Sequence, residues 1–126
     1  MSNYAPYMRR DELNERVADG AVAVVPTGSL EQHGAHLPVG TDSLLAEAVV
    51  REGVDVAVES GTPAVAFPAI WTGFSPHHVP LGGTVTLSKE TLIAVLDDVC
   101  SSLLEMGFDR VLLVNGHGGN RPAVSL

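Results

Sequence analysis

Cysteine is almost absent from this chain: Cys100 is the single one in 126 residues. No disulfide framework can form within it, which fits a reducing compartment. Basic residues are scarce as well. Seven Lys and Arg stand against 15 Asp and Glu, for a net charge of −8, and no basic stripe is visible. That balance speaks against nucleic-acid binding and against an anionic membrane surface, since both depend on clustered cations. Long apolar runs are missing too; the longest fall well short of the roughly 20 residues a membrane span needs. The start, MSNYAPYMRRDELNER, carries no apolar core of a signal peptide. No repeat or low-complexity tract is present. These absences predict a soluble cytoplasmic protein. What is there supports a folded core: 45% hydrophobic and only 17% charged residues, a composition that excludes disorder and suits one domain or a piece of one.

Short apolar runs alternate with longer helical patterns. Residues 9–20 read as a helix ended by Gly20, and 21–28 (AVAVVPTG) as a strand covered on both faces. A helix is expected over 41–61, with Thr41 or Asp42 able to cap it and one internal glycine, Gly53, that weakens it. A second strand is expected over 62–70, ended by Pro68, then a Gly-, Pro- and His-rich loop to Gly83 and a short extended piece at 84–87. Residues 88–107 form a further helix, capped by Ser88 and closed by Gly107, with Leu92, Val95, Leu96, Val99, Leu103 and Leu104 on one face. A third strand covers 109–116, and HGGNRPAVSL opens another helix. Strands separated by helices pair in parallel, so the expected fold class is α/β with helices covering a mainly parallel sheet. Because the pattern stops a few residues into that last helix, residues 1–126 are expected to be the N-terminal part of a single longer domain.

The loops that follow parallel strands all open at one sheet edge, where ligands of such folds sit. All five histidines fall in those loops: His33 and His36 after the first strand, His77 and His78 after the second, His117 after the third. The first loop, GSLEQHGAHLPVGTD (28–42), also holds Glu31 and Asp42 and has no Lys or Arg. Glu31 and His33, two apart, point the same way from an extended backbone. Asp42, at the helix start, can fold back beside them, and His117 can reach the same place from the third strand. Glu, His, Asp and His are ligand types that Zn²⁺ accepts; Mn²⁺ or Fe²⁺ also suits them. A dication would balance carboxylates that no side-chain cation balances.

Singly, each residue has a plainer reading. Asp42 can be a helix cap, Glu31 a surface acid, and any one loop histidine a solvated polar residue. Their convergence at one edge favours the metal. The glycine-rich NGHGGN (115–120) could instead cradle a phosphate. It matches neither nucleotide-binding pattern, however, and its glycines better serve a close backbone approach to a bound group.

PTGSLEQHGAHLPVGTD together with NGHGGN resembles the creatininase (creatinine amidohydrolase) family, and GFSPHHVPLGGTVTL (73–87) resembles that family's middle segment. The resemblance implies a three-layer α/β/α sandwich of about twice this length, assembled as a homo-oligomer, usually a hexamer. It also implies hydrolysis of a C–N amide bond in a cyclic amide, formamide or unusual peptide by a metal-activated water. On matching positions, Glu31, His33, Asp42 and His117 look like the metal ligands, with Asp42 the bridging carboxylate where two metals are bound. Ser75 and His78, on the second loop, could contact the small-molecule amide substrate; His36 and His77 read as supporting or solvated. The proton-transfer residue is expected in the C-terminal half.

Two features depart from the pattern. Creatinine-cleaving members carry a Glu two residues after the last histidine, where this chain has Gly119, and Leu81-Gly82 replaces their Phe-Pro. The Gly-Gly version resembles formamidopyrimidine deformylases and mycofactocin-precursor peptidases. One metal per subunit is the resulting expectation. The competing expectation is a catalytically inactive metal-binding or assembly module of the same fold.

Overall fold

β1 (Val22–Thr27) is the middle strand of a three-stranded sheet ordered β2-β1-β3, where β2 spans Ala64–Ala66 and β3 Val111–Asn115. Both neighbours run parallel to it, as their helical connections require. The computed structural model describes residues 2–125. Around the sheet lie α1 (Arg10–Ala18), α2 (Thr41–Glu59), α3 (Lys89–Met106) and α4 (Arg121–Val124), with 3-10 turns at Ala5–Tyr7, Pro76–Leu81 and Gly118–Asn120.

Strand periodicity divides the core into two faces. Ala23, Val25, Val65, Val111 and Leu113 pack with Leu13 and Val17 of α1, with Val99 and Leu103 of α3, and with Phe108. Val24, Ala64, Ala66 and Val114 turn the other way, onto Val50 and Val54 of α2. The sheet therefore carries helices on both sides, as a three-layer α/β/α arrangement. Phe108 is 2% exposed; truncating it to Ala would cost about 3–5 kcal/mol through lost burial and the cavity left behind.

Several expected boundaries moved for local reasons. β2 contracts from 62–70 to Ala64–Ala66, because Pro68 has no N–H for the ladder. The chain nonetheless stays beside β1, and Ile70 N–H donates to the Pro26 carbonyl at 2.9 Å. Gly53 does not interrupt α2, and neither Thr41 nor Asp42 caps it. The N-cap is Gly40, while the Thr41 hydroxyl donates to the Pro38 carbonyl. Ser88 does cap α3, accepting from Thr91 N–H at 3.1 Å, and Gly107 ends that helix in the left-handed conformation. Leu104 is exposed rather than buried, lying beside the Leu92–Leu96–Val99–Leu103 stripe. The 3-10 turn at Pro76–Leu81 falls where only a loop was expected.

Candidate metal centre

Three loops meet at the C-terminal edge of the sheet. The loop after β1 brings Glu31 and His33, the start of α2 brings Asp42, and the turn after β3 brings His117. Close packing sets this meeting. A Cβ on Gly28 would fall 2.5 Å from Cα of Ser43, and one on Gly116 would fall 3.0 Å from the Asp42 carbonyl. Both distances are too short for ordinary contact, so only glycines let the first turn of α2 wedge against the ends of β1 and β3. Ser43 fixes the wedge by donating its hydroxyl to the carbonyls of Ser29 and Trp71.

Asp42, freed from capping, turns into the site. Its Oδ2 lies 3.1 Å from Nδ1 of His117, and Glu31 Oε1 also lies 3.1 Å from that nitrogen. Asp42 Oδ1 sits 3.3 Å from Nε2 of His33, which is 3.7 Å from Glu31 Oε1. The four residues that sequence reasoning assigned to a metal are thus adjacent. Glu31 and His117 are buried.

The other edge of the His117 ring limits what Nδ1 can do. Nε2 lies 3.1 Å from the Phe74 carbonyl and 3.0 Å from Ser75 Oγ. A carbonyl only accepts, so Nε2 carries a hydrogen, and in the neutral ring Nδ1 is then the nitrogen with the lone pair. Nδ1 faces two carboxylate oxygens, an arrangement that needs a proton or a metal ion among them. Nearby, Glu31 Oε2 and His33 Nε2 are buried and form no hydrogen bond among the described residues. A tetrahedral site with bonds of about 2.0–2.1 Å spaces its ligand atoms about 3.3–3.4 Å apart. The observed separations, 3.1 to 3.7 Å, fit that size. The donor set therefore suits a divalent metal, and Glu31, Asp42 and His117 offer ligand atoms within 4.8 Å of one another.

The two carboxyls are driven apart. Burial pushes Glu31 up, but the Ser75 hydroxyl and the neighbouring His117 outweigh it and hold Glu31 below its ordinary value. Burial raises Asp42, and the hydrogen bond and charge of Glu31 raise it further. Like charges held this close cannot both stay ionised without a cation.

Ser75 and His78 occupy different positions from each other. Ser75 is fully buried, its hydroxyl set between Ser29 Oγ and His117 Nε2, where it holds the imidazole in place. His78 is half-buried and points Nε2 at Glu31 Oε2, 3.3 Å away. His36 and His77 are exposed, and the His77 ring lies 4.1 Å from that of His78.

Sequence reasoning gave no role to two asparagines that hold the site together. Asn115 Nδ2 donates to the His117 carbonyl at 2.7 Å, and its Oδ1 accepts from the Thr27 hydroxyl at 2.9 Å. Asn120, buried, donates to the Gly28 carbonyl at 2.9 Å and accepts from Phe74 N–H at 2.9 Å. It ties the loops after β1 and β2 to the turn after β3. The available signal was their placement at both ends of NGHGGN, since Asn readily bonds nearby backbone in such turns.

Residues 6–126 match the sequence profile of the family described as Creatininase: Creatinine amidohydrolase. The chain is 36% identical over 116 residues to a 3-dehydro-scyllo-inosose hydrolase of Thermotoga maritima, covering 91% of this chain and 36% of that one. It is 38% identical over 110 residues to a mycofactocin precursor peptide peptidase of Mycobacterium tuberculosis, covering 81% and 42%. A solved structure of creatininase with Mn superposes with a TM-score of 0.88 at 30% identity, over 99% of this chain and 49% of that chain. The chain thus spans half or less of the length of these relatives. With the profile match running through nearly every residue, and the parallel sheet and its helices superposing along the whole chain, the protein belongs to the creatininase (creatinine amidohydrolase) family.

Proposed function

We propose that this chain is the N-terminal part of a metal-dependent amidohydrolase that cleaves a C–N amide bond in a small molecule: a cyclic amide, a formamide or an unusual peptide. The observation that carries the reading is His117 Nδ1 lying 3.1 Å from both Glu31 and Asp42, with Nε2 anchored on a backbone carbonyl. Glu31, Asp42 and His117 would hold a divalent ion, and His33 would complete its coordination. Zinc suits two imidazoles and two carboxylates best, while manganese or iron is compatible. Solved creatininases are described with Mn and as a Zn–Zn type. When bound, such an ion supplies a nucleophilic water near neutral pH and polarises a carbonyl. The chain's own residues position it: Ser75 and Phe74 hold the imidazole, and Asn115 and Asn120 hold the loop. A cytoplasmic homo-oligomer, hexameric as the family resemblance implies, is part of the same reading.

A second reading, a metal-binding or assembly module without catalysis, is favoured by Gly119, which brings no carboxylate to the site. Elemental analysis of the purified protein, with a hydrolysis assay on the same sample, separates the two. The assay panel should hold creatinine, a formamide, a peptide amide and 3-dehydro-scyllo-inosose, the compound named for the Thermotoga relative. About one zinc per chain, lost in His33→Ala, with turnover of an amide supports the first reading. Metal without turnover supports the second. Equal metal content in the wild type and His33→Ala would overturn the proposed site.

A further inference from the structure

His78 sits against Glu31 Oε2, while His117 faces Oε1, and the second nitrogen of His78 also has a partner. Nδ1 lies 2.8 Å from Nε2 of Gln32. The Gln32 amide is oriented by its other end, where Oε1 accepts from Gly34 N–H at 2.9 Å. An N–H can be met only by the amide oxygen, so the amide nitrogen faces His78 and donates to it. Nδ1 must then hold its lone pair, which places the ring hydrogen on Nε2. That N–H stands 3.3 Å from Glu31 Oε2, the buried oxygen that takes no hydrogen bond among the described residues. A modest ring rotation brings the two into a hydrogen bond.

We propose that His78 is a positioning residue: Gln32 fixes it as the Nε2–H tautomer, and it anchors the outer oxygen of Glu31 so that the inner oxygen is left for the metal. The inference rests on the metal reading above. It assigns His78 a role different from substrate contact. Glu31, His77 and His78 are also close enough to hold an ion between them, but an imidazole nitrogen that carries hydrogen has no lone pair for a cation. The proposed relay runs from Gly34 N–H to Gln32 to His78 to Glu31. It is the kind of outer support that orients metal-binding carboxylates and whose loss typically costs 10–100-fold in metal affinity.

The test combines long-range ¹H–¹⁵N spectra of histidine-labelled protein with zinc affinity measured by chelator competition. The His78 resonances, assigned by their loss in His78→Gln, should show a protonated Nε2 and a bare Nδ1, and should keep that pattern after zinc is added. Gln32→Glu, whose carboxylate only accepts, should invert the tautomer. His78→Leu should weaken zinc binding by roughly 10-fold or more. His78→Gln, whose amide N–H can replace the ring N–H, should recover most of the loss. An Nδ1–H signal in the wild type would overturn the inference. So would removal of the Nε2 hydrogen on zinc addition, which would make His78 a ligand, or unchanged affinity in His78→Leu. Failure of the wild type to bind zinc would sink the metal reading, whereas an Nδ1–H signal in a zinc-binding wild type would sink this inference alone.

Discussion

A Cβ atom on Gly119 would lie 2.5 Å from Nε2 of His117 and 2.6 Å from the Phe74 carbonyl. The backbone at Gly119 is not in the left-handed region, so volume and not conformation demands glycine here. Any side chain would push between His117 and the carbonyl that fixes its tautomer. Gly119→Glu is therefore expected to lower thermal stability without raising metal content above about one ion per chain. Gly119→Ala should already cost on the order of 1–3 kcal/mol through overpacking. Elemental analysis paired with thermal melts checks both. Two ions per chain at unchanged stability would show that the loop accommodates the added carboxylate.

Asn120→Ala would strand the Gly28 carbonyl and Phe74 N–H, its two backbone partners. Each buried group left unpaired costs about 1–3 kcal/mol. The variant should show an earlier urea midpoint with an unchanged slope, and weaker metal binding, because the three loops lose their common tie. A midpoint equal to the wild type's would mean that water or another side chain takes over both bonds.

What could be read from the sequence divides along physical lines. Helices and strands announced themselves through local periodicity, and the proposed ligands through chemical type: Glu31, His33, Asp42 and His117 are unusual enough in combination to be noticed in one dimension. Asp42 shows the limit. Its place at a helix start permits either a cap or a ligand, and only the packing of α2 against Gly28 and Gly116 turns its carboxyl away from the cap and toward His33 and His117. Ser75 shows it again, because burial between Ser29 and His117 is a property of three separated segments. Gln32 and Asn120 act through hydrogen bonds across 46 and 92 residues of sequence, which no local pattern carries.

Tyr4 gives a stability test away from the site. Its hydroxyl donates to Glu47 of α2 at 2.6 Å, and burial together with that bond pushes its pKa up to about 12. The folded state thus keeps the proton that the unfolded chain releases near pH 10. The stabilisation is fully present below pH 10 and is lost as pH rises toward 12. Tyr4→Phe should therefore be less stable than wild type at pH 8, with the difference shrinking or reversing by pH 12. Parallel pH profiles of denaturation midpoint would reveal this; a constant difference would rule out the Glu47 bond as its source.

Leu112 is 53% exposed on β3 and Val49 62% exposed on α2, and with Val22, Val24 and Val114 they line an apolar groove beside that edge strand. Exposed apolar surface next to an unpaired strand edge favours association. Light scattering of the isolated chain should rise with concentration, and Leu112→Lys should suppress the rise. A wild-type chain that stays monomeric across the series would count against association through this groove.

The wedge of α2 between Gly28 and Gly116 bears on how this molecule tolerates change. If every position were substituted and variants were sorted by metal retention, the intolerant set would extend past the four proposed ligands. Gly28 and Gly116 would fall beside Asp42, although neither has a side-chain atom to offer an ion. Their contribution is room. At such positions selection acts on volume alone, so evolutionary drift should be slower there than the plainness of the side chain would lead one to expect.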